Sequence, residues 1–269
     1  MFIILLFCLL QGFTEFLPIS SQGHLIIFNH TFKIDEYSDI SIDTALILAH
    51  FGSLLAVITY YRKTLKRFLF SIKLIDRPDI DKDSFLLINL VISTIPIVVI
   101  GYILHEVINY NADGILLIIA TSSIIFGIIL YIADNFSLRI KGQNSLSYFI
   151  SFLIGIFQCT ALIPGVSRSG SVLTIMRFFG FQRYFTVEYS NLLSVPVILG
   201  ATTLLMINSY QADQMHLILT FSSFMIFFLS FLFSVLFIFF LVSWVKKFSL
   251  LIFVIYRILF GTLILFFYV

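Results

Sequence analysis

A chain of 269 residues is long enough for two soluble domains, yet 60% of it is hydrophobic, only 11% is charged and its mean hydropathy is +1.08. Ordinary soluble chains carry roughly 25% charged residues, so this composition excludes a soluble fold and predicts an all-α integral membrane protein. Sixteen Lys and Arg against 14 Asp and Glu leave a formal charge of +2, no basic surplus for nucleic acid, and the 33 Phe read as lipid-facing bulk rather than base-stacking platforms.

The first apolar run, 1–17, stops at Pro18, and 19–30 follows as a short piece. Both fall below the roughly 20 residues that cross the hydrocarbon core. The first run has neither a basic head nor a small-residue cleavage site, so it reads as mature chain rather than as a secretory signal. Runs 42–61, 85–104 and 114–133 reach full span length. The piece 146–163 stops at Pro164, and a second arm reaches about Phe181. Runs 185–207, 217–243 and 248–269 are again long enough, the last interrupted only by Arg257, which is expected to snorkel or to be paired within the bundle. The prediction is about six full transmembrane helices plus two re-entrant helical hairpins in one membrane domain, 1–269, the first hairpin with its outer loop in 1–41 and the second in 146–183. Cys8 and Cys159 lie inside apolar runs and read as small buried hydrophobes.

Short loops rich in Lys and Arg stay cytoplasmic. Arg62, Lys63, Lys66, Arg67, Lys73, Arg77 and Lys82 place the loop after the first full span inside. Walking outward, 31–41 with Asp35, Glu36 and Asp39 is outside, 105–113 is outside, and 134–145 with Arg139 and Lys141 is inside. If 146–181 returns to the side it left, Arg183 is inside, 208–216 is outside, and Lys246 and Lys247 are inside, all as the rule requires. Tyr60, Tyr61 and Trp244 then fall at cytoplasmic boundaries, as aromatic belts do. His30, His105 and His216 fall near outer ends, where solvation accounts for them.

The two broken regions are alike. Gln11-GFTEFLPISSQ-Gly23 and Gln158-CTALIPGVSRS-Gly170 each run from Gln through an apolar stretch and Pro to a Ser-rich turn ending in Gly. Each is followed by an apolar span with Asn, an internal Pro and then Gly: Asn89, Pro96 and Gly101, and Asn191, Pro196 and Gly200. One hairpin dips from outside and the other from inside, as in an inverted-topology repeat with its site at the repeat interface.

Polar residues at membrane depth are costly and point to function. Glu15 shares a helical face with Gln11 one turn earlier, and Pro18, Ser20, Ser21, Gly23 and His24 follow. Arg168 lies between Ser167 and Ser169 in the second turn, near Gly165 and Gly170. These types suit an anionic phosphate ester. A guanidinium forks onto phosphate oxygens, and Gly-Ser turns opening half-helices offer N–H groups and a positive dipole end. Glu15 can hold a divalent cation bridging a pyrophosphate, while Ser21 or His24 can attack phosphorus or handle the proton. His50 reads equally as an interior histidine or as support for this set. Glu188 is expected to pair with Arg183 or Arg177.

Gln11-GFTEFLPISSQGH-Leu25 resembles the Glu/Gln-x-x-x-Glu signature of the undecaprenyl-diphosphate phosphatases, the bacitracin-resistance family, and PGVSRSG at 164–170 resembles their second signature. The resemblance implies a bacterial inner-membrane hydrolase. Its action would be to remove the terminal phosphate of undecaprenyl diphosphate, recycling the lipid carrier for cell-wall synthesis and conferring bacitracin resistance. It also implies an inverted repeat with the site opening to the outer face, and use of a divalent cation, magnesium or calcium. Carried over by position, the catalytic set is Glu15, Ser21, His24 and Arg168, with Glu15 the metal ligand. Gln11, Ser20, Ser167, Ser169, Gly165 and Gly170 are then expected around the phosphates. Gln11 stands where the signature also allows Glu, so its part is open: binding metal, orienting Glu15 or donating to phosphate. The nucleophile, Ser21, His24 or water, and the oligomeric state, a homodimer among the options, are open as well. The rival reading is a lipid transporter, which predicts that Glu15 and Arg168 are reached from both sides, whereas a hydrolase predicts access from one. A non-catalytic membrane subunit would leave Glu15 and Arg168 without a purpose.

Overall fold

The computed structural model describes residues 1–34, 40–105, 112–211 and 220–268. Asp35, Glu36, Asp39, His216 and most of the outer segments 105–113 and 208–216 lie outside them. Every helix or strand named among the described residues is a helix. A short pair, α1 (Phe2–Phe16) and α2 (Ser21–Phe32), is followed by α3 (Ile42–Tyr60), α4 (Arg62–Ser71), α5 (Lys82–His105) and α6 (Ala112–Phe136). A second short pair, α7 (Tyr148–Gln158) and α8 (Arg168–Phe178), precedes α9 (Arg183–Gln211), α10 (Phe221–Val245) and α11 (Leu251–Phe267). Five helices, α3, α5, α6, α9 and α10, are long and apolar enough to cross a membrane. The closing helix α11 has only 17 residues, fewer than the run 248–269 suggests, because Ser249 and Leu250 form its approach rather than its first turn.

Local sequence explains where helices begin. Ser41, Ser147 and Thr220 each accept a hydrogen bond from the backbone N–H three residues on, capping α3, α7 and α10. Asp81 does the same for Ser84 at the head of α5, and that bond together with the Ser84 hydroxyl holds its carboxyl down at about 2. Pro96 and Pro196 sit inside α5 and α9 without ending them. Pro18 follows the end of α1 by two residues, whereas α7 ends at Gln158 and a 3-10 turn, Cys159–Leu162, carries the chain on to Pro164.

Packing couples distant parts of the chain. α1 lies along α10 and α7 along α5, α3 contacts both α10 and α9, and α6 lies along α11. The helix that receives the second short pair is thus α5 and the one that receives the first is α10. The Asn-Pro-Gly likeness of α5 and α9 is therefore not matched by their packing, since α9 sits beside α3. Small residues permit these approaches. A Cβ at Gly52 would meet the Phe227 carbonyl and stand 2.9 Å from the Phe231 nitrogen of α10.

Three arginines close the bundle, Arg177 and Arg257 buried and Arg183 partly so. Arg177 Nε and Arg183 Nε donate to Asp134 Oδ1 at 2.9 and 2.7 Å, Arg183 Nη2 reaches Oδ2 at 2.6 Å, and the Leu250 N–H adds a fourth donor at 3.2 Å. One carboxylate thus ties α6, α8, α9 and the head of α11. This corrects the expected pairing of Glu188: Asp134, at the end of α6 between α8 and α9, reaches both arginines and satisfies them first. Arg257 does not snorkel. It is 1% exposed and donates from Nε to the Ser123 carbonyl at 3.2 Å, from Nη1 to that of Pro18 at 3.4 Å and from Nη2 to that of Gly165 at 3.0 Å. Pro18 and Gly165 occupy the same place in the two aligned Gln-to-Gly segments, so a single guanidinium holds both chain breaks.

Arg257→Met is expected to leave these carbonyls short of donors at about 1–3 kcal/mol each, lowering the thermal unfolding midpoint in detergent and the activity together. Gly52→Ala is expected to cost about 1–3 kcal/mol through overpacking against backbone, read in the same unfolding assay.

Candidate active site

Beyond each break the chain turns in the same way. Ser20 and Ser167 adopt left-handed backbone, with φ of 74° and 69°, a conformation that non-glycine residues hold only where surrounding structure enforces it. Each then caps its helix, Ser20 Oγ accepting from Gly23 N at 3.3 Å and Ser167 Oγ from Gly170 N at 3.1 Å. The residue after the cap, Ser21 in one turn and Arg168 in the other, is the first of its helix. Equivalent positions in two turns thus bring a hydroxyl and a guanidinium to one place.

Glu15 lies between them. Its Oε2 accepts from Ser21 Oγ at 2.8 Å and from Gln11 Nε2 at 3.3 Å, and its Oε1 is 3.9 Å from Arg168 Nη2. Arg168 Nη1 donates to the Ser190 carbonyl of α9 at 3.0 Å, which leaves the buried Nη2 without a hydrogen-bond partner. Opposite charges at this depth sustain one another, since removing either strands the other in low dielectric. Gln11 is pinned by Ser53, which bonds Ser234 of α10 at 2.9 Å, so its amide is set from behind.

These groups form the floor of a cavity of about 490 Å³. Glu15, Ser20, Ser21, Ser167 and Arg168 line it, and its walls rise between α2, α3, α5 and α9 past apolar residues such as Ile97, Ile198 and Leu205. It reaches Asn29, Ile42 and Leu205, at the C-terminal half of α2, the head of α3 and the latter part of α9. Gln22, Asn29 and His50 also line it. Sequence reading passed over the first two, although Gln22, Leu25, Ile26 and Asn29 repeat at helical spacing and so share a face of α2. In the same way Ile42, Leu46 and His50 share a face of α3.

The other expected residues stand behind the floor. His24 is 200° round α2 from Gln22, by roughly 100° per residue, and is 4% exposed. Its Nδ1 is 2.6 Å from the Ser20 carbonyl, its Nε2 is 2.7 Å from the Tyr256 hydroxyl, and its ring stacks on Phe260 at 3.9 Å. It supports the Ser20 turn from the α11 side. Ser169 Oγ donates to the Leu17 carbonyl at 2.9 Å, joining the two turns. Gly165, at φ 92°, lets α6 approach, where Ser122 donates to the Pro164 carbonyl at 2.6 Å. Gly170 leaves room for Arg257, whose Nη1 a Cβ there would meet at 2.8 Å.

Among the described residues no three His, Cys, Asp or Glu side chains converge. The Glu15 carboxylate is the one acidic group lining the cavity among the described residues, and the hydroxyls of Ser20, Ser21 and Ser167 and the side-chain amides of Gln22 and Asn29 add neutral oxygens. One carboxylate among oxygen donors fits a hard cation that takes most of its shell from phosphate and water rather than from an all-protein cage.

The two signature segments that carry the family resemblance are thus the two turns of the site, and comparison extends the likeness to the whole chain. A sequence model described as "Bacitracin resistance protein BacA" matches residues 4–263. An undecaprenyl-diphosphatase of Pelagibacter ubique (strain HTCC1062) is 39% identical over 258 residues, covering 95% of this chain and 93% of that protein. An undecaprenyl-diphosphatase of Alteromonas mediterranea is 35% identical over 272 residues, 99% of this chain and 98% of that one, and another of Desulforudis audaxviator is 36% identical over 253 residues, 94% and 92%. Matched from end to end by the family model and by these relatives, this multi-pass membrane chain belongs to the bacitracin resistance protein BacA family.

Proposed function

We propose that the protein hydrolyses undecaprenyl diphosphate to undecaprenyl phosphate and inorganic phosphate in the bacterial cytoplasmic membrane, recycling the lipid carrier for cell-wall synthesis and conferring bacitracin resistance. The observation that carries this reading is the Glu15 carboxylate held between the Ser21 hydroxyl at 2.8 Å and the Arg168 guanidinium at 3.9 Å, on the floor of a cavity with apolar walls. A diphosphate head can reach the floor while its prenyl chain stays among Ile97, Ile198, Leu205 and lipid.

In this reading the short pairs α1–α2 and α7–α8 are re-entrant hairpins of an inverted repeat. The packing of α1 on α10 and of α7 on α5 supports it, as does the shared left-handed serine of both turns. The cavity reaches the ends of α2, α3 and α9 that adjoin the loops poor in Lys and Arg, which supports opening to the outer face.

Ser21 is the nucleophile that the geometry favours. Its hydroxyl donates to Glu15, the arrangement by which a base activates a weak nucleophile, while His24 has both nitrogens engaged away from the cavity. Ser21 Oγ attacks the terminal phosphorus as its proton passes to Glu15. The anhydride P–O bond breaks, and its electron pair leaves on undecaprenyl phosphate. Water then attacks the phosphoserine phosphorus, giving one proton to the site and keeping the other on the released phosphate, and the Ser21 oxygen leaves and recovers a proton through Glu15. Arg168 Nη2 and the N–H groups heading α2 and α8 hold the phosphoryl oxygens. Glu15 would hold a divalent cation, magnesium or calcium, which would supply charge neutralisation on the diphosphate.

Phosphate release from undecaprenyl diphosphate by the purified protein in detergent tests this reading. Glu15→Ala, Ser21→Ala and Arg168→Ala are each expected to lower kcat/KM by about 10³-fold or more, the scale of losing a nucleophile, base or charge clamp, and chelator is expected to abolish release. A folded wild type that releases no phosphate with any divalent ion would sink the proposal. Ser21→Ala with near-normal turnover would transfer the attack to water.

A further inference from the structure

The chain from Arg62 to Ile75 carries five basic residues, Arg62, Lys63, Lys66, Arg67 and Lys73, and no acidic one. It comprises α4 and the 3-10 turn Ile72–Leu74 that extends it. α4 begins just after Tyr61, at the tail of α3, whose head lines the cavity through Ile42. The 19 residues of α3, at roughly 1.5 Å each, span about the hydrocarbon thickness. α4 therefore lies at the bilayer face opposite the one the cavity reaches.

Both ends of α4 are tied to that face. Its last residue, Ser71, accepts through its carbonyl from the Ser84 hydroxyl at 2.7 Å, and Arg67 Nε donates to Asp83 Oδ2 at 2.9 Å. Asp83 and Ser84 belong to the first turn of the next span, α5. A ten-residue helix fixed at one end to the tail of a span and at the other to the head of the next runs along the surface instead of out into water.

Its sides divide to match. Thr64, Phe68 and Ser71 are buried against the bundle. At roughly 100° per residue, Leu65, Leu69 and Ile72 form one flank, on which Leu69 is 67% exposed. Arg62, Lys66 and Lys73 stand on the side away from the bundle and Lys63 on the other flank, all exposed. Phe70 stands on the basic side, and Leu74, Ile75 and Ile80 continue the exposed apolar surface past the helix. Of the five cations only Arg67 has a carboxylate partner among the described residues, while Arg62 Nη1 turns back to the Thr59 carbonyl at 3.3 Å. Bulk water leaves the apolar flank unburied, and hydrocarbon leaves the cations unsolvated. The level where acyl chains meet headgroups satisfies both, and a surface of clustered lysines selects headgroups of opposite charge.

We propose that α4 is an interfacial helix that binds the anionic phospholipids of its own bilayer, with Lys63, Lys66 and Lys73 on the phosphodiester headgroups and Leu65, Leu69 and Ile72 among the acyl chains. This role is independent of the chemistry at the cavity floor.

The test places the full chain in nanodiscs of phosphatidylcholine alone or mixed with phosphatidylglycerol. A nitroxide is attached at Leu69→Cys or at Lys63→Cys, in a chain carrying Cys8→Ala and Cys159→Ala and confirmed as folded by its thermal midpoint, and its collisions with oxygen and with a water-soluble nickel chelate are read by power saturation. In mixed nanodiscs the oxygen-to-nickel ratio at position 69 is expected to exceed that at 63 by at least about fivefold, and to fall at least about twofold in phosphatidylcholine alone or when Lys63, Lys66 and Lys73 are all changed to Gln. Native mass spectrometry of the unlabelled chain, which needs no cysteine substitution, is expected to retain phosphatidylglycerol over phosphatidylcholine by at least about tenfold, and the triple Lys→Gln variant to lose most of that preference. Equal ratios at 69 and 63 would place α4 in water, leave its face to a soluble protein partner and overturn the proposal. A ratio at 69 indifferent to phosphatidylglycerol and to the three glutamines, or a native spectrum without lipid preference, would reduce α4 to an apolar anchor and overturn the headgroup binding.

Discussion

Hydrocarbon cannot hydrogen-bond a broken backbone, and this membrane protein breaks its chain inside the bundle twice, between α1 and α2 and between α7 and α8. Each break frees carbonyls that continuing helices would have satisfied. The guanidinium of Arg257 meets one from each, Pro18 and Gly165, and a third from Ser123 of α6. Ser122 meets the Pro164 carbonyl and Ser169 meets that of Leu17. Buried charge is ordinarily paired with opposite charge; here it is spent on dipoles because five planar donors can reach several carbonyls that no single neutral side chain could span. Everything at the floor of the cavity depends on the two turns being held at that spacing.

With the turns fixed, the chemistry follows from equivalence and difference. The two segments share the Gln, the left-handed serine and the capped glycine, which set backbone direction. They differ one residue after the serine, where one has Ser21 and the other Arg168, and at the position of Glu15, which Leu162 occupies in the other segment. A common scaffold thus presents a hydroxyl with a carboxylate from one side and a guanidinium from the other. Glu15 and Arg168 also stabilise each other before any substrate arrives, so neither is an uncompensated charge in the membrane.

Helix geometry alone separates the histidine behind the cavity from the one that lines it. His24 follows Ser21 by three residues, yet its direction round α2 sends it to Tyr256 and Phe260 of α11. His50 lies far away in sequence, and the contact of α3 with α9 and α10 delivers it to the cavity. A motif read in one dimension favours the near histidine; packing favours the distant one. The same contrast explains Glu188, whose expected arginines turn instead to Asp134, a residue that sequence separation hides from them.

Much of this was legible in the chain before any coordinates. Composition and run length demanded a helical membrane protein, prolines at 18 and 164 marked the two breaks, and Glu15 and Arg168 stood out because charge at membrane depth is costly without a purpose. Hydropathy, turn chemistry and desolvation act locally, so a sequence records them directly. The face each polar residue presents could have been partly read from helical spacing, as with Gln22 and Asn29. What only the tertiary structure decided is which distant groups meet: Arg257 with both breaks, Asp134 with two arginines, His50 rather than His24 with Glu15, and α1 with α10 as α7 with α5. Those pairings depend on how whole helices cross one another, and a crossing is set by the summed packing of many apolar side chains, none of which names its partner.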